Sequence, residues 1–468
     1  MDAATSYDLL VIGSGPAGQR AAIQAAKLDK RVAVVERKTV VGGVCINTGT
    51  IPSKTLREAV LYLTGFRERG LYGAAYTVKP NITISDLMFR ANHVMTSEVE
   101  VIRAQLMRNR VDVLAAEAAF LDPHTLRLHE LVGGGYRDVK ADKIIIAVGT
   151  NATQDPHIPF DGCRIFISDD VLRLDHLPRT LSVIGAGVIG LEYASLFAAL
   201  GVKVTLVDKR NRLLPFVDAE IMETLAYHLR ENNVMLRLGE EVSNVEPLGD
   251  GQTGRVKIHL ESGKQIITEK ALYSIGRTGA TESLNLSAAG LAADDRGRIP
   301  VNEHYQTSVP HIYAVGDVIG FPSLASTSME QGRLAAAHAF GREASSMPSS
   351  YPYGIYAIPE ISTVGKNEEE LTEADIPYEV GKAWYRETAR GQIIGDTSGL
   401  LKLIFHLETR ELLGVHIIGE GASELIHIGQ AVLCFGGTVD YFVNTVFNYP
   451  TLAEAYKIAA FDGINRLG

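Results

Sequence analysis

The stretch "YDLLVIGSGPAGQRAAIQAAKLDKRVAVVER", Tyr7 to Arg37, constrains the architecture more than any other part of the chain. An apolar strand runs into glycines, an alanine-rich helix follows, and a second apolar strand ends at Glu36. Gly13, Gly15 and Gly18 follow the G-x-G-x-x-G pattern. In that pattern the first glycine permits the tight turn, the second lets the backbone approach a pyrophosphate, and the third allows close helix–strand packing. The helix N-terminus supplies a positive dipole end, and an acid such as Glu36 can accept ribose hydroxyls. A second copy follows: "LSVIGAGVIGLEYASLFAALGVKVTLVDK" carries Gly185, Gly187 and Gly190 and ends its second strand at Asp208. Two such βαβ units predict an α/β chain with two Rossmann-like dinucleotide-binding domains.

The rest of the chain is organised around these units. With 468 residues there is room for about three domains. The strand "DKIIIAVGT" closes on Gly149, and the polar "NATQDPHIP" reads as a crossing into the second domain. "IYAVGDVIG", Ile312 to Gly320, reads as a return to the first. "EASSMPSSYPYG" reads as a Ser/Pro-rich linker, after which short β-like runs and a helix around "GASELIHIGQAVL" predict a third, α/β domain. The expected boundaries are 1–150 and 277–345 for the two parts of the first domain, 151–276 for the second and 346–468 for the third.

Composition narrows the function classes. A net charge of -10 argues against a nucleic-acid partner, whose binding needs many Lys and Arg on phosphates. No apolar run reaches the roughly 20 residues of a membrane helix, and Asp2 and Asp8 flank a short apolar start unlike a signal peptide, so a cytoplasmic protein acting on small molecules is expected. Cys45, Cys163 and Cys434 are too far apart for a metal pattern, and His338, His406, His416 and His427 lie on apolar stretches without ligand spacing, so no metal is expected. After Asp208 come Lys209, Arg210 and Arg212. An acid there suits the free 2′-hydroxyl of NAD and basic side chains suit the 2′-phosphate of NADP, so the second cradle reads either as tolerant of both or as ending in an ordinary solvated turn.

With "GGVCINTGTIPSK", the paired glycine motifs, "YAVGD" and "YAIPEISTVG" in hand, the sequence resembles the two-dinucleotide-binding flavoproteins related to glutathione reductase and lipoamide dehydrogenase, over essentially the whole chain. The resemblance implies FAD on the first glycine motif, held by Gly13, Gly15, Gly18, Glu36, Arg37, Gly42, Gly43, Val44, Cys45, Thr50, Lys54 and Gly149. Asp317 would bind the ribityl chain, and the helix starting near Ala325 would aim its positive end at the flavin. NAD(H) and NADP(H) would bind as substrates on Gly185, Gly187, Gly190, Asp208, Lys209, Arg210 and Gly276. Lys54 and Glu192 match the positions that pair beside flavin N5 and are the implied catalytic residues.

Two departures from the family pattern are as telling. Its disulfide enzymes carry Cys-x-x-x-x-Cys, and the second position here is Thr50; its C-terminal His-Pro-x-x-x-x-Glu is here Tyr449, Pro450 and Glu454. A threonine cannot form a disulfide, and a phenol of pKa about 10 is a poor base near neutrality. The implied reaction is ping-pong hydride exchange, in which NADPH reduces the flavin and NAD reoxidises it. A diaphorase or quinone reductase, and a non-catalytic redox sensor, remain as alternatives. The resemblance also implies a homodimer through the third domain, with Tyr449 to Glu454 completing the neighbouring subunit's site.

Overall fold

Strand Thr5–Ile12 lies at the centre of a six-stranded sheet, parallel to Val32–Glu36 on one side and to Tyr136–Ile146 on the other. Asp112–Asp122 extends the sheet beyond Val32–Glu36, and Ile312–Ala314 extends it beyond Tyr136–Ile146, both in parallel register. Thr125–Glu130 joins antiparallel between the long strands Asp112–Asp122 and Tyr136–Ile146. Leu9 and Val11 face a core that includes Ala21, Ala22 and Ala25 of helix Pro16–Ala26, whereas Leu10 and Ile12 face Phe120, Leu126 and Leu128. Burial on both faces is why the strand reads as an unbroken apolar run rather than an alternating one.

The computed structural model describes residues 5–249, 254–343, 347–348 and 350–467. Asp2 of the N-terminal reading, and Ala344, Ser345, Ser346 and Ser349 of the Ser/Pro-rich segment, lie outside the described residues. The sheet above belongs to one compact unit, Met1–Thr55, Met88–Thr153 and Gly276–Pro348; the other comprises Leu56–Leu87, Gln154–Ile275 and Ser349–Gly468. Within the first, helix Pro16–Ala26 packs on helix Ala325–Ala339 so tightly that a Cβ on Gly332 would stand 2.1 Å from the Ala17 carbonyl oxygen.

The second unit repeats the plan. Its five-stranded parallel sheet is ordered Val234–Leu238, Lys203–Asp208, Thr180–Ile184, Lys270–Tyr273, Ile165–Ile167. Helix Val188–Ala199 is apolar almost all round, and from Gly190 to Ala199 every residue is buried, as a helix enclosed on all sides requires. A three-stranded antiparallel sheet, Val242–Leu248, Arg255–Leu260 and Gln265–Thr268, follows. The C-terminal part is a five-stranded antiparallel sheet from Tyr353 to Ile418, backed by helices Ala422–Cys434 and Glu454–Ile464. "HLETRELLG" forms the turn between strands Leu400–His406 and Leu412–Ile418.

A buried charge cluster ties parts of this unit together. Lys402 is fully buried, and its ammonium donates to both carboxylate oxygens of Asp218, at 3.0 and 2.9 Å, and to Glu368. Glu220 completes the set at 3.2 Å. The carboxylates outweigh desolvation and hold the ammonium charged. Arg212 reaches Glu369 at 3.2 Å, so the segment after Asp208 is anchored at Arg212, Asp218 and Glu220.

Candidate functional site: two dinucleotide cradles

The two glycine turns have nearly the same geometry. Gly13 and Gly185 take φ of +105° and +101°, a region that only glycine enters without strain. A Cβ on Gly18 or on Gly190 would lie 1.9 Å from the carbonyl oxygen of Gly13 or Gly185, so both positions exclude any larger residue. At Gly15 and Gly187 a Cβ would meet nothing within 4 Å. These glycines are the N-caps of their helices, and neither helix has a side-chain cap, which leaves first-turn N–H groups for a phosphate.

Each cradle holds its acid with the turn's own backbone. Ser14 N–H donates to Glu36 at 3.1 Å, and Ala186 N–H donates to Asp208 at 2.6 Å. The N–H two residues past each acid does the same: Lys38 to Glu36 at 2.9 Å and Arg210 to Asp208 at 2.8 Å. Beyond this the cradles differ. In the first, Ser14 Oγ donates to Glu36 and accepts from Gly42 N–H at 3.0 Å. In the second, the turn residue is Ala186, and Arg210 donates from Nε and Nη2 to the two Asp208 oxygens at 2.9 and 2.8 Å. Burial pushes the Asp208 carboxyl up, but the Arg210 hydrogen bonds and the backbone donors outweigh it and hold the group below its ordinary range. Lys209 is 70 % exposed, with Nζ 3.6 Å from Glu241. Arg37 donates to Asn151 Oδ1 at 3.0 Å.

The hook "GGVCINTGTIPSK" packs onto the first turn. Gly42 and Gly43 both have positive φ, and a Cβ on Gly43 would come within 2.8 Å of Gly15 Cα. Asn47 fastens the hook by donating to the carbonyls of Val41 and Gly43. Val44, Cys45 and Asn47 lie on the short helix Gly43–Asn47, and Thr50 opens the helix Thr50–Leu63, whose fifth residue is Lys54. Burial pushes the half-buried Cys45 thiol up despite a hydrogen bond with Thr50, and Asp317 adds to the rise while Lys54 opposes it. Thr48 Oγ1 is buried with no hydrogen-bond partner among the described residues.

Asp317 follows strand Ile312–Ala314 and lies near Thr150, Ser328 and Arg277. Burial pushes its carboxyl up, against the guanidinium and the two hydroxyls. Arg277 donates to Thr150 Oγ1 and to its carbonyl, both at 2.7 Å. Ala325 is the first residue of the helix Ala325–Ala339, whose N-cap also lacks a side-chain cap. Gly149 and Gly276 have φ of +66° and +82°, and Gly276 accepts from Thr153 N–H at 3.2 Å. Glu192 is buried in helix Val188–Ala199, where its Oε1 accepts from Tyr356 N–H at 2.9 Å.

The structure therefore gathers Gly13, Gly15, Gly18, Glu36, Gly42 and Gly43 into one cradle and Gly185, Gly187, Gly190, Asp208 and Arg210 into another. Lys54 belongs to the first compact unit and Glu192 to the second. Tyr449 is 73 % exposed, and one Glu454 oxygen is buried without a partner among the described residues. Sequence reasoning passed over Arg277, Thr48 and the Lys402 cluster: local spacing marks neither the distant partners Thr150 of Arg277 and Asp218 of Lys402 nor the burial of the Thr48 hydroxyl. His416 is buried, with Nδ1 on Thr363 Oγ1 and Nε2 donating to the Lys366 carbonyl at 3.0 Å. Among the described residues no cluster of His, Cys, Asp and Glu could hold a metal, and no helix is long and apolar enough to cross a membrane.

Paired glycine cradles on parallel sheets, followed by an antiparallel C-terminal sheet, define a flavin- and nicotinamide-dependent oxidoreductase fold. The chain belongs to the pyridine nucleotide-disulphide oxidoreductase family, whose model matches residues 7–332, with the family's dimerisation domain at residues 351–460. It is 56 % identical over 461 residues, 98 % of each chain, to a soluble pyridine nucleotide transhydrogenase of Mycobacterium bovis. It is 46 % identical over the full length of both chains to one from Colwellia psychrerythraea. Among solved structures, LpdA from Mycobacterium tuberculosis superposes with a TM-score of 0.88 at 26 % identity, covering 99 % of this chain and 100 % of that one. The HOCl-induced flavoprotein disulfide reductase RclA from Escherichia coli gives 0.86 at 28 % identity, covering 97 % and 99 %.

Proposed function

We infer that this chain is a pyridine nucleotide transhydrogenase, catalysing NADPH + NAD+ = NADP+ + NADH with FAD as its resident group and no redox-active disulfide. The observation that carries the reading is Thr50 at the second thiol position beside Cys45, in a chain that keeps both dinucleotide cradles. Bound FAD supplies a two-electron carrier that serves two nicotinamides in succession. The first cradle fits that group: an open Gly15, uncapped helix N–H groups and the partnerless Thr48 hydroxyl all offer contacts that the protein itself leaves unused.

In this reading Gly13, Gly15 and Gly18 admit the pyrophosphate, Glu36 and Arg37 hold the adenosine end, and the hook from Gly42 through Thr50, with Gly149, encloses the rest. Asp317 and the N-terminus at Ala325 take the ribityl and pyrimidine side. Gly185, Gly187, Gly190, Asp208, Lys209, Arg210 and Gly276 seat either nicotinamide nucleotide. Lys54 is the cation that stabilises negative charge developing in the reaction, and Glu192 is the second proposed catalytic residue. The proposed domains are 1–150 with 277–345, 151–276 and 346–468, the last joining two copies into a homodimer. A cytoplasmic setting is part of this proposal.

The test is spectrophotometric. The purified holoenzyme given NADPH and thio-NAD+ should form the thionicotinamide product, with parallel double-reciprocal plots as the two nucleotides are varied. No product overturns the reading, and quinone turnover far above thio-NAD+ turnover assigns a diaphorase instead.

A further inference from the structure

We propose that the Asp208–Arg210 ion pair lets one cradle accept both an adenosine 2′-hydroxyl and a 2′-phosphate, with Arg210, rather than Lys209 or Arg212, as the phosphate reader. The proposal rests on the reading of the second cradle as the nicotinamide-nucleotide site.

Both acids accept the same two backbone N–H groups, so Glu36 and Asp208 occupy equivalent places, and Arg210 stands where Lys38 stands in the first. In the first cradle a turn hydroxyl, Ser14 Oγ, satisfies the acid. The second has Ala186 at that turn position, and a guanidinium takes the hydroxyl's part. A bare carboxylate accepts a 2′-hydroxyl but repels a 2′-phosphate, and a bare cation does the reverse. Paired, the two have no net charge and offer both recognitions. Asp208 keeps lone pairs for a hydroxyl, while Arg210 spends two of its five N–H donors on Asp208 and presents the others in a fork suited to phosphate.

The neighbouring cations lie against other carboxylates. Arg212 donates to Glu369 at 3.2 Å, and Lys209 is 70 % exposed with Glu241 3.6 Å away. Arg210 alone of the three is held at the acid that ends the second strand.

The test uses nucleotide fragments on the FAD-loaded enzyme, so binding is read independently of turnover. Calorimetry measures 5′-AMP and adenosine 2′,5′-bisphosphate against wild type, Arg210→Gln, Arg210→Lys, Lys209→Gln, Arg212→Gln and Asp208→Asn. Arg210→Gln should weaken the bisphosphate by about tenfold or more and leave 5′-AMP within about threefold, the scale expected for one charged, forked contact. Arg210→Lys should fall between the two, and Asp208→Asn should weaken 5′-AMP more than the bisphosphate. Arg212→Gln should change the bisphosphate by less than about threefold, and Lys209→Gln should weaken it less than Arg210→Gln does. Equal loss of both fragments in Arg210→Gln, or a greater loss of bisphosphate in either neighbour's variant, overturns the proposal. If the fragments discriminate as described but thio-NAD+ is not reduced, the transhydrogenase reading fails and this one stands.

Discussion

Cys45 shows how a single neighbour changes what a residue can do. Its thiol is half-buried and pushed up by burial, and the adjacent hydroxyl of Thr50 offers a hydrogen bond but no sulfur. A thiol above its ordinary range stays protonated at neutral pH, and the thiolate is the reactive form. Iodoacetamide at pH 7.5 should therefore modify the exposed Cys163 and Cys434 and spare Cys45, read by peptide mass spectrometry over a time course. Labelling of Cys45 as fast as the other two would mean that a thiolate persists in the hook. The identity of Thr50 was legible from the sequence by counting. The raised thiol was not, because it depends on burial and on Asp317, 272 residues further along.

At the scale of elements, the glycine turns were readable because a backbone constraint permits only one residue type. Gly18 and Gly190 stand against carbonyl oxygens, and Gly13 and Gly185 take a φ other residues avoid, so the pattern in the sequence is the imprint of the geometry. Adding one methyl group separates two of these roles. Gly190→Ala should cost about 1–3 kcal/mol of stability through overpacking against Gly185 O and should weaken nucleotide binding. Gly187→Ala, whose Cβ meets open space, should leave the melting temperature nearly unchanged and act on binding alone. Equal melting shifts in the two variants would contradict this division. The side-chain wiring around the turns was hidden. "DKR" after the second strand announced both an acid and bases, but not that Arg210 folds back onto Asp208 while Arg212 goes to Glu369.

At the scale of the whole molecule, buried titratable groups set the response to acid. Burial lowers His416, more than the neighbouring Asp218 carboxylate raises it, and burial also lowers His311 and His338. An unfolded histidine takes up a proton near pH 6.5, and one buried in neutral form does so only at lower pH. The stabilisation is complete above about pH 6.5 and is lost as pH falls below it, because the unfolded chain then binds more protons. The urea midpoint should fall between pH 7.5 and pH 5.5, and less steeply in His416→Gln, by up to about 1.4 kcal/mol per pH unit. Identical pH profiles in the two proteins would remove His416 from the account.

The order of strands in the two parallel sheets also bears on how the chain is made. In the second unit, the edge strand Ile165–Ile167 precedes the strand Thr180–Ile184 that starts the βαβ repeat, so that sheet draws all its strands from one stretch ending at Tyr273. In the first unit, the edge strand Ile312–Ala314 comes after the entire second repeat. A ribosome delivering residues from the N-terminus thus releases everything the second unit's parallel sheet needs before the first unit's sheet can close. The cradle synthesised first is completed last, and until then the edge of the sheet at Ile144–Ile146 must wait, unpaired, for its final neighbour.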